Sequence, residues 1–417
     1  MKKTLLFDAS VIAENIIHGA GRSGIYFTAY NILKELIKSD KFDVCLYCGN
    51  VYNTETVKFL HNEFGENVKI YFGNKFGPLN EKLAILDKKL RANKHNISKL
   101  LLNIFVRKPV KFIGDFVKIP SFDIAFSPFR VFSKKIKATH KYIFLHDTIP
   151  LLFPEYYPQM QLKKYWFYDL VKYINSKPNC KFFSNSLSTK QDFIKLLNMN
   201  QNDITVAPLA AGNNFYQETD KKKIQKVCEK YNIPTDKKYV FSLCTLEPRK
   251  NLIRAVKTFI EFIKKNEITD MVFVLGGGHW KDFIGKLETE IKDLGQYKDK
   301  IIRAGYVDDE DLAVLYSGAQ FFVYTSQYEG FGLPPLEAMK CGCPVITSNN
   351  SSLPEVVGNA GQMIDWDSDE QYIAAYEKYY FDEKYREVAI NMGLDRSKHF
   401  VWKKTVDTII EKILADL

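Results

Sequence analysis

Short apolar runs alternating with amphipathic stretches constrain this chain more than any other feature. Seven fall in the first half: "KTLLFDAS", "FDVCLYCG", "VKIYFG", "FDIAFSP", "KYIFLHD", "CKFFSNS" and "DITVAPL". A helical pattern from about Tyr26 to Lys38 separates the first two. Around 207–238 the pattern lapses into a polar stretch with a basic helix, and then a second series begins. It runs "KYVFSLCT", a helix from about Leu252 to Lys265, "DMVFVLGGG", "DKIIRAGYV", "AQFFVYTS", "CPVITSN" and "GQMIDW". Such runs, separated by helical periodicity, predict strands of a parallel sheet covered on both faces. Two series predict an α/β chain of two doubly wound, Rossmann-like domains facing across a cleft, where the carboxyl ends of the strands converge.

Length and composition agree, since 417 residues at 46% apolar content can form the cores of two domains. The expected divisions are a first domain at 1–207, a linker at 208–236, a second domain at 237–395 and a terminal segment at 396–417. Charge separates the halves. Residues 1–205 hold 31 Lys and Arg against 17 Asp and Glu, whereas the remainder holds 28 against 32. A basic half joined to a near-neutral one points to an anionic partner. Ten of the cations lie between residues 81 and 118, among leucine, isoleucine and phenylalanine at helical spacing. That region predicts either a surface for an anionic membrane or acceptor, or a solvated pair of amphipathic helices. Nucleic acid is a poor fit, because the lysines lack the interleaved stacking aromatics of a recognised module.

The longest apolar stretches, such as "YIFLHDTIPLLF", carry charges and fall short of the roughly 18 to 20 apolar residues of a membrane span. At the N-terminus, Asp8 interrupts the apolar run and no small-residue cleavage site follows cleanly. The expected location is cytoplasmic, extending to peripheral contact with the inner face of the membrane. Of the seven cysteines, Cys45 with Cys48 and Cys341 with Cys343 form close pairs. "FDVCLYCGN" alternates like a strand and has no second pair nearby, which predicts buried strand cysteines rather than a zinc knuckle.

The stretch "HGAGRSGIYFTAY" holds Gly19, Gly21 and Gly24 in the G-x-G-x-x-G spacing of a dinucleotide fingerprint. In that fingerprint the first glycine follows strand one directly, so that the next helix presents its N-terminus to the pyrophosphate. Here Val11 to His18 intervene, and the second strand ends in Cys48, Gly49 and Asn50 with no ribose-binding acid. The nicotinamide meaning is therefore removed. What remains is a glycine-rich loop before a helix, able to offer backbone N–H groups to phosphate.

The most specific text is "YTSQYEGFGLPPLEAMKCGCPVITSNNSSLPEVVGNAG", Tyr324 to Gly361. A strand gives way to Glu329, a Gly-Phe-Gly turn, then Pro334 and Pro335 at a helix start, with Gly342 at its end. Gly330 and Gly332 let bare backbone approach a ligand, and the helix N-terminus offers free N–H groups to a diphosphate. Glu337, eight residues after Glu329, is expected in the first helical turn. Two carboxylates framing such a turn suit a hydroxyl-rich ligand, a sugar at one and a ribose at the other; dipole compensation alone is the competing explanation for Glu337.

With "TLEPRKNLIRAVKTF", "LGGG" and "RAGYVDDEDLAVLYSGAQFFVYTS", this text closely resembles the retaining glycosyltransferases of family four, the group 1 type, which have a GT-B fold. The resemblance extends more loosely to "LHDTIPLLFPEYY", "SNSLSTKQDF" and "ITVAPL". It implies that Glu329 contacts the donor sugar and that Gly330, Phe331, Gly332 and Leu333 bind sugar hydroxyls and phosphate through their backbone. Glu337 would bind the ribose, and Lys250 with Arg249 would neutralise the departing diphosphate, a term that grows during bond cleavage. Family members often carry the arginine a few residues earlier, where this chain has Cys244 and Thr245, so Arg249 is a substitute; either cation could instead be an exposed charge at a helix start. His146 would contact the transferring sugar or acceptor and Asp147 would orient it, a buried structural histidine being the alternative. Gly24 and its loop would face the donor diphosphate, and the last segment, "HFVWKKTVDTIIEKILADL", would cross back onto the first domain.

Retention, also implied by the resemblance, lets the departing phosphate oxygen take the acceptor's proton, so no dedicated protein base is needed. No metal and no cofactor are expected: "DDED" (Asp308 to Asp311) reads as a helix N-cap with acids in the first turn, and "DWD" (Asp365 to Asp367) as a turn. The expected partners are a nucleotide-sugar donor and a saccharide or lipid-linked saccharide acceptor, in bacterial surface polysaccharide synthesis such as lipopolysaccharide O-antigen or capsule. The alternatives are a phosphorylase or sucrose-synthase-like enzyme, and a non-catalytic nucleotide-binding subunit of a membrane-bound assembly complex.

Overall fold

A computed structural model describes residues 2–18, 24–49, 53–73, 119–157, 160, 162–163, 165–278 and 281–417. Gly19, Gly21 and the basic 81–118 region therefore lie outside the described residues. Among the described residues the first sheet has seven parallel strands in the order β3-β2-β1-β4-β5-β6-β7 and the second has six in the order β10-β9-β8-β11-β12-β13. The strands of the first sheet are β1 (Thr4–Asp8), β2 (Asp43–Tyr47), β3 (Lys69–Tyr71), β4 (Ser121–Ser127), β5 (Lys137–Leu145), β6 (Lys181–Ser184) and β7 (Ile204–Val206). Those of the second are β8 (Lys238–Leu243), β9 (Met271–Gly276), β10 (Ile301–Gly305), β11 (Phe321–Tyr324), β12 (Val345–Ser348) and β13 (Gln362–Ile364). Each of the thirteen apolar runs supplies one strand, and the Leu252–Lys265 helix falls where its periodicity placed it.

Strand burial shows why the runs are apolar throughout. Successive side chains of a strand point to opposite faces, and both faces of the first sheet are covered. Leu5, Phe7, Leu46, Phe126 and Phe144 belong to one core, and Leu6, Cys45, Ala125, Ile143 and Leu145 to the other. All seven cysteines are buried and free, Cys45 inside β2 and Cys48 just beyond it. Among the described residues no helix is long and apolar enough to cross a membrane, and no cluster of three or more His, Cys, Asp or Glu side chains is arranged to hold a metal.

In each sheet the strand order reverses beside the first strand, between β1 and β4 and between β8 and β11. Such a switch point opens a crevice at the carboxyl ends of the strands, and the two crevices face each other. Residues 10–18 form a complete helix, Ser10–His18, before the Gly24–Ser39 helix begins, so nothing like a direct strand-to-fingerprint turn exists. The final helix, Trp402–Asp416, packs on the Gly24–Ser39 helix, and Asp416 accepts a hydrogen bond from Tyr142 Oη on β5 at 2.9 Å.

Two expectations need correcting. Helix Leu333–Lys340 begins at Leu333, which puts Glu337 in its second turn with no acid in the first. Dipole compensation is thereby weakened as a reason for Glu337, because that effect fades beyond the first turn. Asp311 stands at the start of the Leu312–Gly318 helix but its side chain does not cap it. Its carboxylate accepts instead from Lys230 Nζ at 2.6 Å and Tyr231 Oη at 2.8 Å, while Asp308 accepts from Lys230 at 2.7 Å. A neighbouring cation thus captures the acids before the helix backbone can use them. "DWD" forms the expected turn between β13 and the next helix.

Candidate active site

Between the sheets lies a cavity of about 540 Å³, lined by Gly24, His146, Asp147, Arg249, Lys250, Glu329, Gly330, Phe331, Gly332, Leu333 and Glu337 among others. Every one of these candidate site residues is thus brought to one cleft, while Gly19 and Gly21 lie outside the described residues. The first domain supplies Gly24 from a helix start and His146 with Asp147 from the end of β5. The second supplies the rest from the carboxyl ends of β8 and β11.

Beyond β8, the single turn Pro248–Lys250 redirects the chain into the Leu252–Lys265 helix. Asn251 adopts a left-handed conformation between them, its amide donating to Trp366 O at 2.6 Å and Tyr372 Oη at 3.0 Å. Tethering this turn drives Arg249 and Lys250 inward, where they are 5% and 9% exposed. They are therefore not ordinary surface cations. Lys250 Nζ donates to Glu329 Oε1 at 2.6 Å and Tyr324 Oη at 2.7 Å, and Arg249 Nη1 donates to the same Oε1 at 2.9 Å. Arg249 also donates to Tyr328 O and, through its other arm, to Glu247. Two buried cations are thereby balanced by two buried carboxylates, as charges removed from water require.

Burial alone would raise the Glu329 carboxyl, but the adjacent Arg249 and Lys250 charges outweigh it and hold its pKa at about 2. Glu329 is therefore ionised at any working pH. Glu337 shows the opposite balance. Burial pushes it up to about 7, the hydrogen bond from Tyr316 Oη at 3.2 Å opposes the rise, and the Asp309 charge adds to it.

A glycine is obligatory where the domains touch. A Cβ on Gly330 would stand 2.1 Å from His146 O and 2.9 Å from Asp147 Cβ. In the LGGG turn, Gly277 has φ of +126°, and a Cβ there would lie 1.8 Å from Cys244 O. This contact lets the loop after β9 close down beside the turn that carries Arg249.

His146 is buried, its ring edge-on to Phe129 and tilted against Phe144. Burial lowers its pKa to about 4, against the opposing pull of the Pro128 carbonyl. Its Nε2 lies 2.7 Å from Pro128 O, which can only accept, so Nε2 carries the proton and Nδ1 is left as an acceptor. Asp147 is raised by burial, with Arg249 opposing, and its carboxylate accepts from the Ile149 amide at 3.0 Å.

Several supporting residues escaped the sequence reading. Ser351 Oγ accepts from the Glu329 amide at 3.0 Å, Ser352 Oγ lies within hydrogen-bond reach of Phe331 O at 2.6 Å and Glu329 O at 3.0 Å, and Asn350 donates to Gln327 O at 2.9 Å. The Asn-Asn-Ser-Ser run thus fastens the turn that presents Glu329. Its concentration of short side chains suited to backbone hydrogen bonding, directly after β12, was the available signal. Tyr324 and Glu247, which hold Lys250 and Arg249, gave none beyond their position at a strand end and beside the cations.

Two Rossmann-like domains with facing switch points and a shared cleft define the GT-B architecture. Residues 223–396 match the family model of group 1 glycosyl transferases. O-antigen chain mannosyltransferase B of Escherichia coli is 32% identical over 271 residues, covering 63% of this chain and 68% of that protein. The serotype-specific mannosyltransferase WbdA of the same organism is 29% identical over 269 residues, and the match spans about a third of its length, 32%. Among solved structures, Anabaena Alr3699/HepE in complex with UDP and glucose aligns over the whole of both chains, with a TM-score of 0.66 and 17% identity. The chain belongs to the group 1 glycosyltransferases.

Proposed function

We propose that this glycosyltransferase moves a hexosyl group from a nucleotide-sugar donor to a saccharide acceptor, with retention of anomeric configuration, in the building of a bacterial surface polysaccharide. The observation that carries the reading is the buried Arg249–Lys250–Glu329 cluster at the N-terminus of the Leu333–Lys340 helix. Two of the three Lys250 N–H groups are engaged by protein, leaving one for a phosphate oxygen. The positive end of the helix dipole and the two cations stabilise the negative charge that grows on a departing diphosphate, Pro334 and Pro335 having no N–H to offer it. Glu329, held ionised, accepts hydrogen bonds from sugar hydroxyls, and Glu337 accepts from ribose. His146, neutral with Nδ1 as an acceptor, receives a hydroxyl hydrogen from the sugar or the acceptor, and Asp147 helps orient it. The proton of the attacking hydroxyl passes to the leaving phosphate oxygen on the same face, a route that asks no base of the protein. The reading needs no metal, since Arg249 and Lys250 would supply the positive charge that a diphosphate calls for.

The names of the relatives favour a mannosyl group and an O-antigen or similar product, and the acceptor is a saccharide, free or lipid-linked. The 81–118 cations and the overall basic balance of the first half suit an acceptor bound at the inner face of a membrane.

The test is to incubate the protein with α-linked GDP-mannose and UDP-glucose and a panel of oligosaccharide acceptors, and to read the new linkage by proton NMR. An α-linked product is expected. A β-linked product would sink retention, and failure to consume any donor would sink the transfer reading.

A further inference from the structure

Beside the cavity, the domains meet at the start of the first-domain helix Leu187–Leu197. Its N-cap, Ser186, accepts from the Thr189 amide at 3.0 Å and donates to Gly330 O of the second domain at 2.7 Å. The first-turn amides of Leu187 and Ser188 have no partners within their own helix. Glu355 of the second domain takes both: Oε2 accepts from Leu187 N at 2.7 Å and Oε1 from Ser188 N at 2.6 Å. One carboxylate thus closes the N-terminus of a helix in the other domain, in the orientation that the helix dipole favours.

The rest of Glu355's surroundings tie it to the donor turn. It lies in the Leu353–Val357 helix, just after Ser351 and Ser352, which hold the Glu329–Phe331 backbone. Arg396 grips the carbonyls of Glu355 and Val356 from behind. Farther along the first-domain helix, Asp192 accepts from Tyr328 Oη and from Thr148 Oγ1, and Tyr328 is the residue before Glu329. The helix is therefore clasped at two points by residues bound to the Glu329 turn. Neither Glu355, Tyr328 nor Asp192 lines the cavity. What their contacts fix is the position of His146 and Asp147 against Glu329 and Gly330.

We propose that Glu355 is a positioning residue for sugar transfer, capping the Leu187–Leu197 helix across the domain boundary and so holding the two walls of the cleft in register. The role rests on the transfer reading above. Displacing one wall of a site by about 1 Å is enough to cost on the order of a hundredfold in rate, whereas donor groups bound wholly by the second domain would feel little change.

The experiment compares wild type, Glu355→Ala, Glu355→Gln and Tyr328→Phe by amide hydrogen exchange at 186–190 and by kcat and KM with GDP-mannose and UDP-glucose. In Glu355→Ala the Leu187 and Ser188 amides should exchange about tenfold faster, with the melting temperature within about 2 °C of wild type. kcat should fall about tenfold while donor KM stays within about twofold. Glu355→Gln, which keeps one acceptor oxygen, should fall between, and Tyr328→Phe should lower kcat in the same direction. Unchanged protection of the two amides would overturn the cap. Unchanged kcat despite lost protection, or a loss of kcat that merely follows melting, would overturn the positioning role. A wild type that turns over no donor, with the exchange difference intact, would overturn the transfer reading and leave only the cap.

Discussion

Glu329 and Glu337 are the same residue type eight positions apart, yet their surroundings push them in opposite directions. Glu329 pairs with Arg249 and Lys250 and is held at about 2, while Glu337 has no cation against it among the described residues and is raised by burial to about 7. For Glu337 the folded pKa exceeds the ordinary value of 4.5, so its contribution to stability is fully present below 4.5 and declines as pH rises through 7. Ligand binding runs the other way. If Glu337 accepts from ribose hydroxyls as proposed, it must be ionised to do so, and donor KM should fall as pH rises from about 6 to 8 and level off above. In Glu337→Gln that dependence should vanish; a wild-type donor KM flat across the range would show that ribose does not use Glu337. His146 adds no acid limb near neutrality, because burial keeps it neutral down to about 4.

Among elements, the turn from Glu329 to Leu333 depends most on what surrounds it. Ser351 and Ser352 fix its backbone, Ser186 reaches it from the other domain, and Gly330 fits against His146 only for want of a side chain. Gly330→Ala places a methyl into a backbone carbonyl, which cannot swing away as a flexible side chain would. We expect kcat to drop about a hundredfold, checked by steady-state kinetics on a variant whose circular dichroism matches wild type; near-normal kcat would show that the domains can part here at no cost. The strands of both sheets were legible in the sequence because a strand buried on two faces must be apolar along its length, as in β9, Met271–Gly276. Helix details were less legible. Two prolines at the start of the Leu333–Lys340 helix signalled it, but its first residue, and so the turn occupied by Glu337, depends on how Gly332 is held.

For the whole molecule, the sequence disclosed that a cleft exists and which second-domain residues face it, because those residues are close together in the chain. It disclosed little of what joins the domains. Glu355 meets Leu187 across 168 positions and Tyr328 meets Asp192 across 136, and no local pattern announces such pairs. The arrangement of the cations was only partly legible: "PRKN" could also be read as an exposed helix start, and the packing around Asn251 with the pairing to Glu247 and Glu329 turns Arg249 and Lys250 inward. Whether these two cations and Glu329 perform sugar transfer is read from turnover in variants. With the nucleotide-sugar that wild type consumes, kcat/KM should fall by about a thousandfold or more in Lys250→Ala and in Glu329→Ala. Breaking a buried ion pair also costs about 3 kcal/mol, so turnover is measured below each variant's melting point, with folding confirmed by circular dichroism. Near wild-type turnover in both folded variants would take sugar transfer away from this cluster.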